Sequence, residues 1–252
     1  MFSVPPSMNE ADDPARPPPK RSWASPQPGS EAARWHGVHS NYTALSSLSP
    51  SLLQDLQRFD PASPQRELLE VLAAGMRHTQ PLAIVLAGEP TAITLSVFPQ
   101  DGLVHCPLPL EAFLAADLSQ VHLLSVRPAL LRPPGDQALG RLGRPRGFGP
   151  LRPLLWAVAM RGARESLLPE LDGRAAYRVA PAINLAGLDV AGNLTRCITM
   201  LRRQTCNLGE LARWEDIGRG QAMRLLNALY LQSGLIVSRT HPAATNDGWA
   251  GY

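Results

Sequence analysis

The side chains that most often carry out chemistry are thinly spread in this sequence. His105 and Cys106 are adjacent, and neighbours in a strand point to opposite faces, so the pair does not predict a catalytic dyad. The chain contains no Gly-x-Ser-x-Gly elbow and no Walker A loop, and its carboxylates are scattered. We therefore expect no catalytic residues. An enzyme that uses an unrecognised site near His105 is kept as an alternative.

Two pairs of side chains are candidate metal ligands. His36 and His39 have His-x-x-His spacing, but no cysteine lies near them in the sequence. Cys197 and Cys206 are separated by a stretch that contains two arginines, whose charge would oppose a cation. Neither pair has the ligand spacing of a zinc site, so we expect no metal and no cofactor. The odd number of cysteines argues against a disulfide framework and favours a reducing cytoplasm.

Charge and hydropathy bear on whether the protein binds nucleic acid or a membrane. The formal net charge is +3, which by itself is too small to predict nucleic-acid binding. Lys20 is the only lysine among the 24 basic residues, a bias that codon usage explains more simply than selection for guanidinium contacts. The apolar runs are far shorter than a bilayer-spanning helix, and the N-terminus lacks the apolar core of a signal peptide. We expect no membrane segment.

Two segments are predicted to lack regular structure. Residues 1–47 are expected to form a disordered, proline-rich tail, because eight prolines fall within the first 28 residues. Trp23 and Trp35 are exceptions in this tail. Each could dock on the body or on a partner, but a loosely attached tail is the favoured interpretation. Residues 132–152 combine many prolines and glycines with five arginines, which predicts a flexible basic linker without regular elements.

Between these segments, residues 48–131 have the pattern of an α+β domain. Leucines at helical spacing predict helices over about 51–59 and 64–77. Ile93, Leu95 and Val97 alternate with polar residues, as in a strand with one buried face. Other short apolar runs add strands at 82–86, 103–106 and 121–126, and residues 110–116 are expected to form a short helix. We therefore predict a small, mostly antiparallel sheet that is packed by the helix at 64–77.

Residues 153–240 are predicted to form a mainly helical domain, followed by a loose tail at 241–252. Asn207 and Glu210 have the spacing of a capping box, which marks the start of a short helix. In the following helix, at 219–232, the apolar residues Ala222, Leu225, Leu226 and Leu229 recur at helical spacing. We expect Gly234 to end this helix in the left-handed conformation.

This C-terminal pattern resembles a winged helix-turn-helix. The resemblance rests on residues 207–212 (NLGELA), 222–229 (AMRLLNAL) and 233–236 (SGLI), which match the second helix, the third helix and the first wing strand. The sequence shows no second wing strand after residue 240, because Thr240-His241-Pro242 breaks the chain there. The predicted fold class is thus α+β, with a small antiparallel sheet and packing helix followed by a helical, winged-helix-like part.

The resemblance implies a binding protein and leaves its partner open. We expect a non-enzymatic regulatory or adaptor protein that makes protein–protein contacts through this module, because winged-helix modules serve in protein recognition as well as on DNA. The alternative is a DNA-binding transcriptional regulator that uses the helix at 219–232. Its nucleic-acid-facing residues would be Arg219, Gln221, Arg224 and Asn227, with Arg202 and Arg203 on phosphates.

Overall fold

The structure is a computed structural model, which describes residues 48–58, 68–88, 91–134 and 147–245. Its helices are α1 (Pro50–Arg58), α2 (Leu68–His78), α3 (Leu110–Ala115), α4 (Leu151–Arg161), α5 (Gly192–Arg203), α6 (Leu208–Arg213) and α7 (Gly218–Leu231). Its strands are β1 (Leu82–Leu86), β2 (Ile93–Phe98), β3 (Leu103–His105), β4 (Leu123–Pro128), β5 (Phe148–Pro150), β6 (Ala176–Val179) and β7 (Leu235–Ser238). Single turns of 3-10 helix lie at Leu118–Gln120 and Trp214–Asp216. The predicted α+β class is confirmed.

The larger sheet is antiparallel and has the strand order β4-β1-β2-β3-β5. All five residues of β1 are buried, so both faces of the sheet are covered at its centre, as the continuous apolar run at 82–86 suggests. Helix α2 lies against β1, where Gly75 leaves room for the side chain of Leu82. No helix within the described ranges has the length and hydrophobicity needed to cross a membrane.

The prediction that no regular element occurs at 132–152 is wrong for the end of that segment. Residues 148–150 form edge strand β5, which pairs with β3, and α4 begins at Leu151. A three-residue edge strand needs few amide donors and therefore tolerates Pro150. Pro153 lies in the first turn of α4, where an amide has no partner within the helix. Residues 135–146, like the predicted tail at 1–47, lie outside the described residues.

The C-terminal helices α5, α6 and α7 pack beside the second sheet. Strand β7 pairs with β6, which precedes these helices in the sequence, and Tyr177 of β6 also pairs with Cys206, just before α6. The partner strand of β7 is therefore upstream of the helices, and not after residue 240. The prediction of a loose tail is wrong at 241–245, where Ala244 is buried and Thr245 pairs with Ala175. Residues 246–252 are not among the described residues.

Helix α7 ends differently from the prediction. Ser233, and not Gly234, adopts the left-handed conformation, with φ of 54°. The amide of Gly234 bonds to the Leu229 carbonyl at 3.0 Å, and the amide of Ser233 bonds to the Tyr230 carbonyl at 2.8 Å. Gly234 is required for a different reason, because a Cβ there would collide with the side chain of Ile183.

Candidate functional site

Helix α7, the candidate DNA-reading helix, is enclosed by its neighbours. It packs against α4 on one side and against α6 on another. Leu225 and Leu229 are fully buried, as the sequence predicts, but so are Leu226, Asn227 and Ala228 between them. From its second turn onward the helix therefore has no broad polar face, and it could not enter a DNA groove unless α4 were removed.

Asn227 shows this most directly. Its side chain is 0% exposed. Its Oδ1 accepts a hydrogen bond from the Leu168 amide at 2.9 Å, and its Nδ2 donates to the Ser166 carbonyl at 2.9 Å. The predicted position of Asn227 on a nucleic-acid-facing surface is wrong, because this amide holds the loop between α4 and β6.

Arg224 also has an internal role. Its Nη1 donates to the carbonyls of Met160 and Gly162, at 3.1 and 2.8 Å, beyond the last turn of α4. Its Nη2 lies 4.0 Å from the Glu165 carboxylate. These contacts satisfy carbonyls at the end of a helix, where a positive charge is also favoured by the helix dipole. The placement of Arg224 toward a groove is therefore wrong as well.

The first turn of α7 remains accessible. Arg219 is exposed and Gln221 is partly exposed. Glu215 and Asp216, immediately before the helix, are also exposed, and both have left-handed φ angles of 51° and 52°. The Glu215 carboxylate is paired with Arg196, but the exposed Asp216 carboxylate places negative charge where a DNA phosphate would approach Arg219.

Tyr177, in strand β6, is buried. Burial raises its pKa to about 12, although Arg239 and Arg219 oppose the rise through their positive charge. Its hydroxyl donates to the Leu171 carbonyl at 2.7 Å. Cys206, which pairs with Tyr177 through the backbone, is also buried, and burial raises its pKa to about 12. Both groups are protonated and unreactive near neutral pH.

The remaining predicted arginines lie where the end of α5 approaches strand β6. Arg202 and Arg203 lie at the end of α5 and are exposed. Arg178 of β6 donates from Nη2 to the Arg202 carbonyl at 3.4 Å. Ile236 lies directly opposite Arg178 in the strand pair and is 49% exposed, so the two side chains share one face. We call Arg178, Arg202, Arg203 and Ile236 the arginine corner.

No carboxylate among the described residues forms an ion pair with an arginine of this corner. Arg77, Arg164 and Arg196 each form an ion pair with a glutamate. Within the part of the chain that the structure describes, Arg178, Arg202 and Arg203 form none. Arg202 instead donates to the Ile183 carbonyl at 3.1 Å. A guanidinium held by a neutral acceptor keeps its full charge available for an acidic group on a partner.

The sequence predicts Arg202 and Arg203 as phosphate contacts in the DNA-binding alternative, but it does not single out Arg178 or Ile236. Ile236 lies in the predicted first wing strand. The juxtaposition of Arg178 and Ile236 depends on pairing between β6 and β7, which are more than 50 residues apart in the chain. Local sequence patterns cannot predict such a long-range pairing.

The surroundings of His105 do not assemble a nucleophile. The His105 ring packs edge-on against Phe148, with centroids 5.0 Å apart. Its Nδ1 is buried without a hydrogen-bond partner among the described residues. Cys106 is fully buried, and burial raises the pKa of its thiol, which makes it a weak nucleophile.

Within the described ranges, no group of three or more His, Cys, Asp or Glu side chains could hold a metal ion. The predicted pair His36 and His39 lies outside these ranges. No protein-family model matches the chain, and no curated protein or solved structure is significantly similar to it.

Proposed function

We propose that the protein is a regulatory or adaptor protein whose C-terminal module binds an acidic partner protein through the arginine corner. The observation that carries the proposal is the enclosure of α7 by α4, together with three arginines at the corner that form no ion pair with any residue the structure describes. The order of α5, α6, α7 and β7, with β6 as the second strand, supports the resemblance to a winged helix. The module presents this surface on packed helices and strands, so its side chains are already positioned before binding.

The residues of the arginine corner are better suited to a protein partner than to DNA. Arginines around an exposed Ile236 match the anatomy of a protein interface, in which arginine is enriched and apolar side chains supply the centre. A surface that contacts only phosphates gains little from an exposed isoleucine. The partner is therefore expected to present carboxylates beside an apolar side chain.

The DNA-binding alternative keeps only part of its predicted residues. Arg202, Arg203 and Arg219 are exposed and could contact phosphates, whereas Arg224 and Asn227 are engaged within the protein. Binding of this kind would depend strongly on salt and weakly on base sequence. An enzyme near His105 remains a weaker alternative, because no observation described above favours it.

A charge reversal at the corner tests the proposal. Arg203→Glu should weaken partner binding by at least about tenfold, equivalent to about 1.4 kcal/mol, because it puts a carboxylate where the partner's own carboxylates are expected. The matched control is Arg213→Glu, which makes the same charge change at an exposed position on α6. Full-length tagged proteins would be used to capture partners from cell extract, with quantification by mass spectrometry.

The proposal predicts a protein that is retained by wild type and Arg213→Glu and lost with Arg203→Glu. Duplex DNA binding would be measured in parallel by fluorescence anisotropy at low and high salt. If Arg203→Glu abolishes DNA binding while all three proteins capture the same partners, the DNA-binding alternative replaces the proposal.

A further inference from the structure

Strand β7 is an open edge of the second sheet. Among the described residues, the regular strands of this sheet are β6 and β7 alone. On the side of β6 that faces away from β7, the backbone pairs with Cys206 and with Thr245. One edge of the sheet is therefore covered by the protein itself, whereas no described residue pairs with the outer side of β7.

The hydrogen bonds of β6 show which backbone groups of β7 point outward. The amide of Tyr177 donates to the Cys206 carbonyl at 2.7 Å, and the Cys206 amide donates to the Tyr177 carbonyl at 3.1 Å. Both backbone groups of Tyr177 are thus used on the side away from β7. Val237 lies opposite Tyr177. Because bonded and non-bonded pairs alternate along an antiparallel ladder, the N–H and C=O of Val237 point away from β6.

The start of β7 has the same alternation. The amide of Ala180 donates to the Gly234 carbonyl at 2.9 Å. This carbonyl faces β6, so the backbone groups of the next residue, Leu235, face outward. Outside the pairing with β6, no backbone hydrogen bond among the described residues reaches Leu235 or Val237. The outward N–H and C=O groups of these two residues, spread over roughly 7 Å, are therefore available to an added strand.

The arginine corner lies on one face of this edge. Arg178 and Ile236 are opposite each other in the strand pair. Arg178 donates to the Arg202 carbonyl at 3.4 Å, and Arg202 donates to the Ile183 carbonyl at 3.1 Å. The side chain of Ile183 occupies the space where a Cβ at Gly234 would lie. This series of contacts links both arginines to the residue just before β7, so the corner and the edge form one surface.

We propose that the acidic partner binds as an extended segment that adds a strand to β7 beside the arginine corner. This inference rests on the proposed function, because it assigns a conformation and a side-chain pattern to the partner of the same surface. In an antiparallel added strand, the two residues that bond to Leu235 and Val237 flank a central residue opposite Ile236. The side chain of that central residue lies on the face that carries Arg178.

The two faces of β7 favour different side chains at successive positions of the partner. Arg178 is two strands, or roughly 10 Å, from the central residue of the added strand, a gap that a glutamate and an arginine side chain can bridge together. The flanking residues project to the opposite face, beside Leu235 and Val237, which pack partly buried against the core. The expected partner segment therefore has an acidic residue between two apolar ones.

Charge complementarity favours this occupant over a second copy of the protein and over DNA. Pairing of β7 with β7 of a second copy would bring two arginine corners together, and their arginines form no ion pair with any described residue. Like charges would oppose such a dimer. The phosphates of DNA could accept from the outward N–H groups, but they have no donor for the outward carbonyls.

Backbone methylation of a peptide tests strand addition. The probe is a fluorescein-labelled peptide of alternating valine and glutamate, whose binding to the full-length protein is measured by fluorescence anisotropy. One derivative is N-methylated at every valine, which removes the N–H groups that meet β7. The matched control is N-methylated at every glutamate, whose N–H groups face solvent in the added strand.

The valine-methylated peptide should bind at least about tenfold more weakly than the unmodified peptide, because its hydrogen bonds to the strand edge are lost. The glutamate-methylated peptide should bind within about threefold of the unmodified one. Equal binding of the two derivatives, or no binding of the unmodified peptide, would overturn strand addition.

Substitutions in the protein give a second measurement with the unmodified peptide. Val237→Pro removes an outward N–H that the pairing with β6 does not use, which an edge strand tolerates, and it should weaken binding at least about fivefold. Val237→Thr keeps the amide and should bind as wild type does. Arg178→Gln should also weaken binding at least about fivefold, whereas Arg213→Gln, at an exposed position of α6, should not. Wild-type affinity in a Val237→Pro protein that circular dichroism shows to be folded would contradict the assigned edge.

Partner capture and peptide binding together separate the failure of strand addition from the failure of the proposed function. If Arg203→Glu loses the captured partner but valine methylation leaves peptide binding unchanged, strand addition is overturned and the proposed function stands. If valine methylation weakens binding while Arg203→Glu and Arg178→Gln change neither capture nor peptide affinity, the arginine corner has no part in binding and both are overturned. A wild-type dimer in light scattering that Val237→Pro converts to a monomer would instead assign the edge to a second copy.

Discussion

Replacing the buried side-chain amide of Asn227 should lower the free energy of unfolding by an amount that follows from its two hydrogen bonds. Asn227→Ala removes the acceptor for the buried Leu168 amide, whereas the Ser166 carbonyl still accepts from Nε of Arg164 at 3.0 Å. One orphaned buried amide costs about 1–3 kcal/mol, and the loss of the second hydrogen bond adds about 1 kcal/mol. The free energy of unfolding should therefore fall by about 2–4 kcal/mol, as measured by guanidinium denaturation followed by circular dichroism.

Asn227→Asp separates hydrogen bonding from shape. One carboxylate oxygen can still accept from the Leu168 amide, but the other faces the Ser166 carbonyl, and a buried charge is disfavoured. The pKa of the new carboxyl should rise above its unfolded value, since its protonated form can donate to that carbonyl. The loss of stability should therefore be smallest below about pH 4 and grow as pH rises through the folded pKa.

The matched controls are Asn184→Ala and Asn184→Asp. Asn184 is exposed, and its Oδ1 accepts from the Ala186 amide at 2.9 Å. Both changes should stay within about 0.5 kcal/mol of wild type at each pH. A cost below about 0.5 kcal/mol for Asn227→Ala would refute the view that this amide holds the loop.

Three further predictions concern the C-terminal module. Ser233→Gly should raise the free energy of unfolding by about 1 kcal/mol in chemical denaturation, because glycine adopts the left-handed conformation without a Cβ clash; no gain would contradict the assigned φ. Gly234→Ala should destabilise by about 1–3 kcal/mol through overpacking against Ile183, and Ile183→Ala should recover part of that cost in a double-mutant cycle, whereas strict additivity would argue against the contact. For the buried Tyr177 and Cys206, the folded pKa values lie above the ordinary 10.0 and 9.0, at about 12, so the unfolded state releases protons first and stability falls with pH above about 9. Tyr177→Phe should make the decline between pH 10 and 12 shallower by up to about 1.4 kcal/mol per pH unit, and an unchanged slope in pH-dependent denaturation would count against it.

The sequence predicts local features of this fold well. The capping box at Asn207 and Glu210 is present, with bonds of 2.8 and 3.1 Å. The amphipathic stripe through Leu225 and Leu229 is buried. Such features depend on residues within one or two turns of each other, so periodicity and capping chemistry are sufficient to find them.

The errors arose where distant segments meet. Asn227 lies on the side of α7 that an isolated helix would expose, and the loop after α4 covers that side through hydrogen bonds from residues about 60 positions away. Arg178 and Ile236 become neighbours only through the pairing of β6 with β7. At 148–150, the many glycines and prolines led to the prediction of an irregular linker. These residues form an edge strand only because they pair with β3, which is distant in the sequence.

The placement of β6 before the three helices has a practical consequence for dissecting the protein. A fragment cut at residue 194, where the helical pattern begins, would leave β7 and the backbone at Cys206 without the strand that they share. The same cut would discard α4 and uncover the apolar flank of α7 to water. The smallest piece that keeps these partners together must include α4 from Leu151 onward, so residues 194–240 are not a detachable unit.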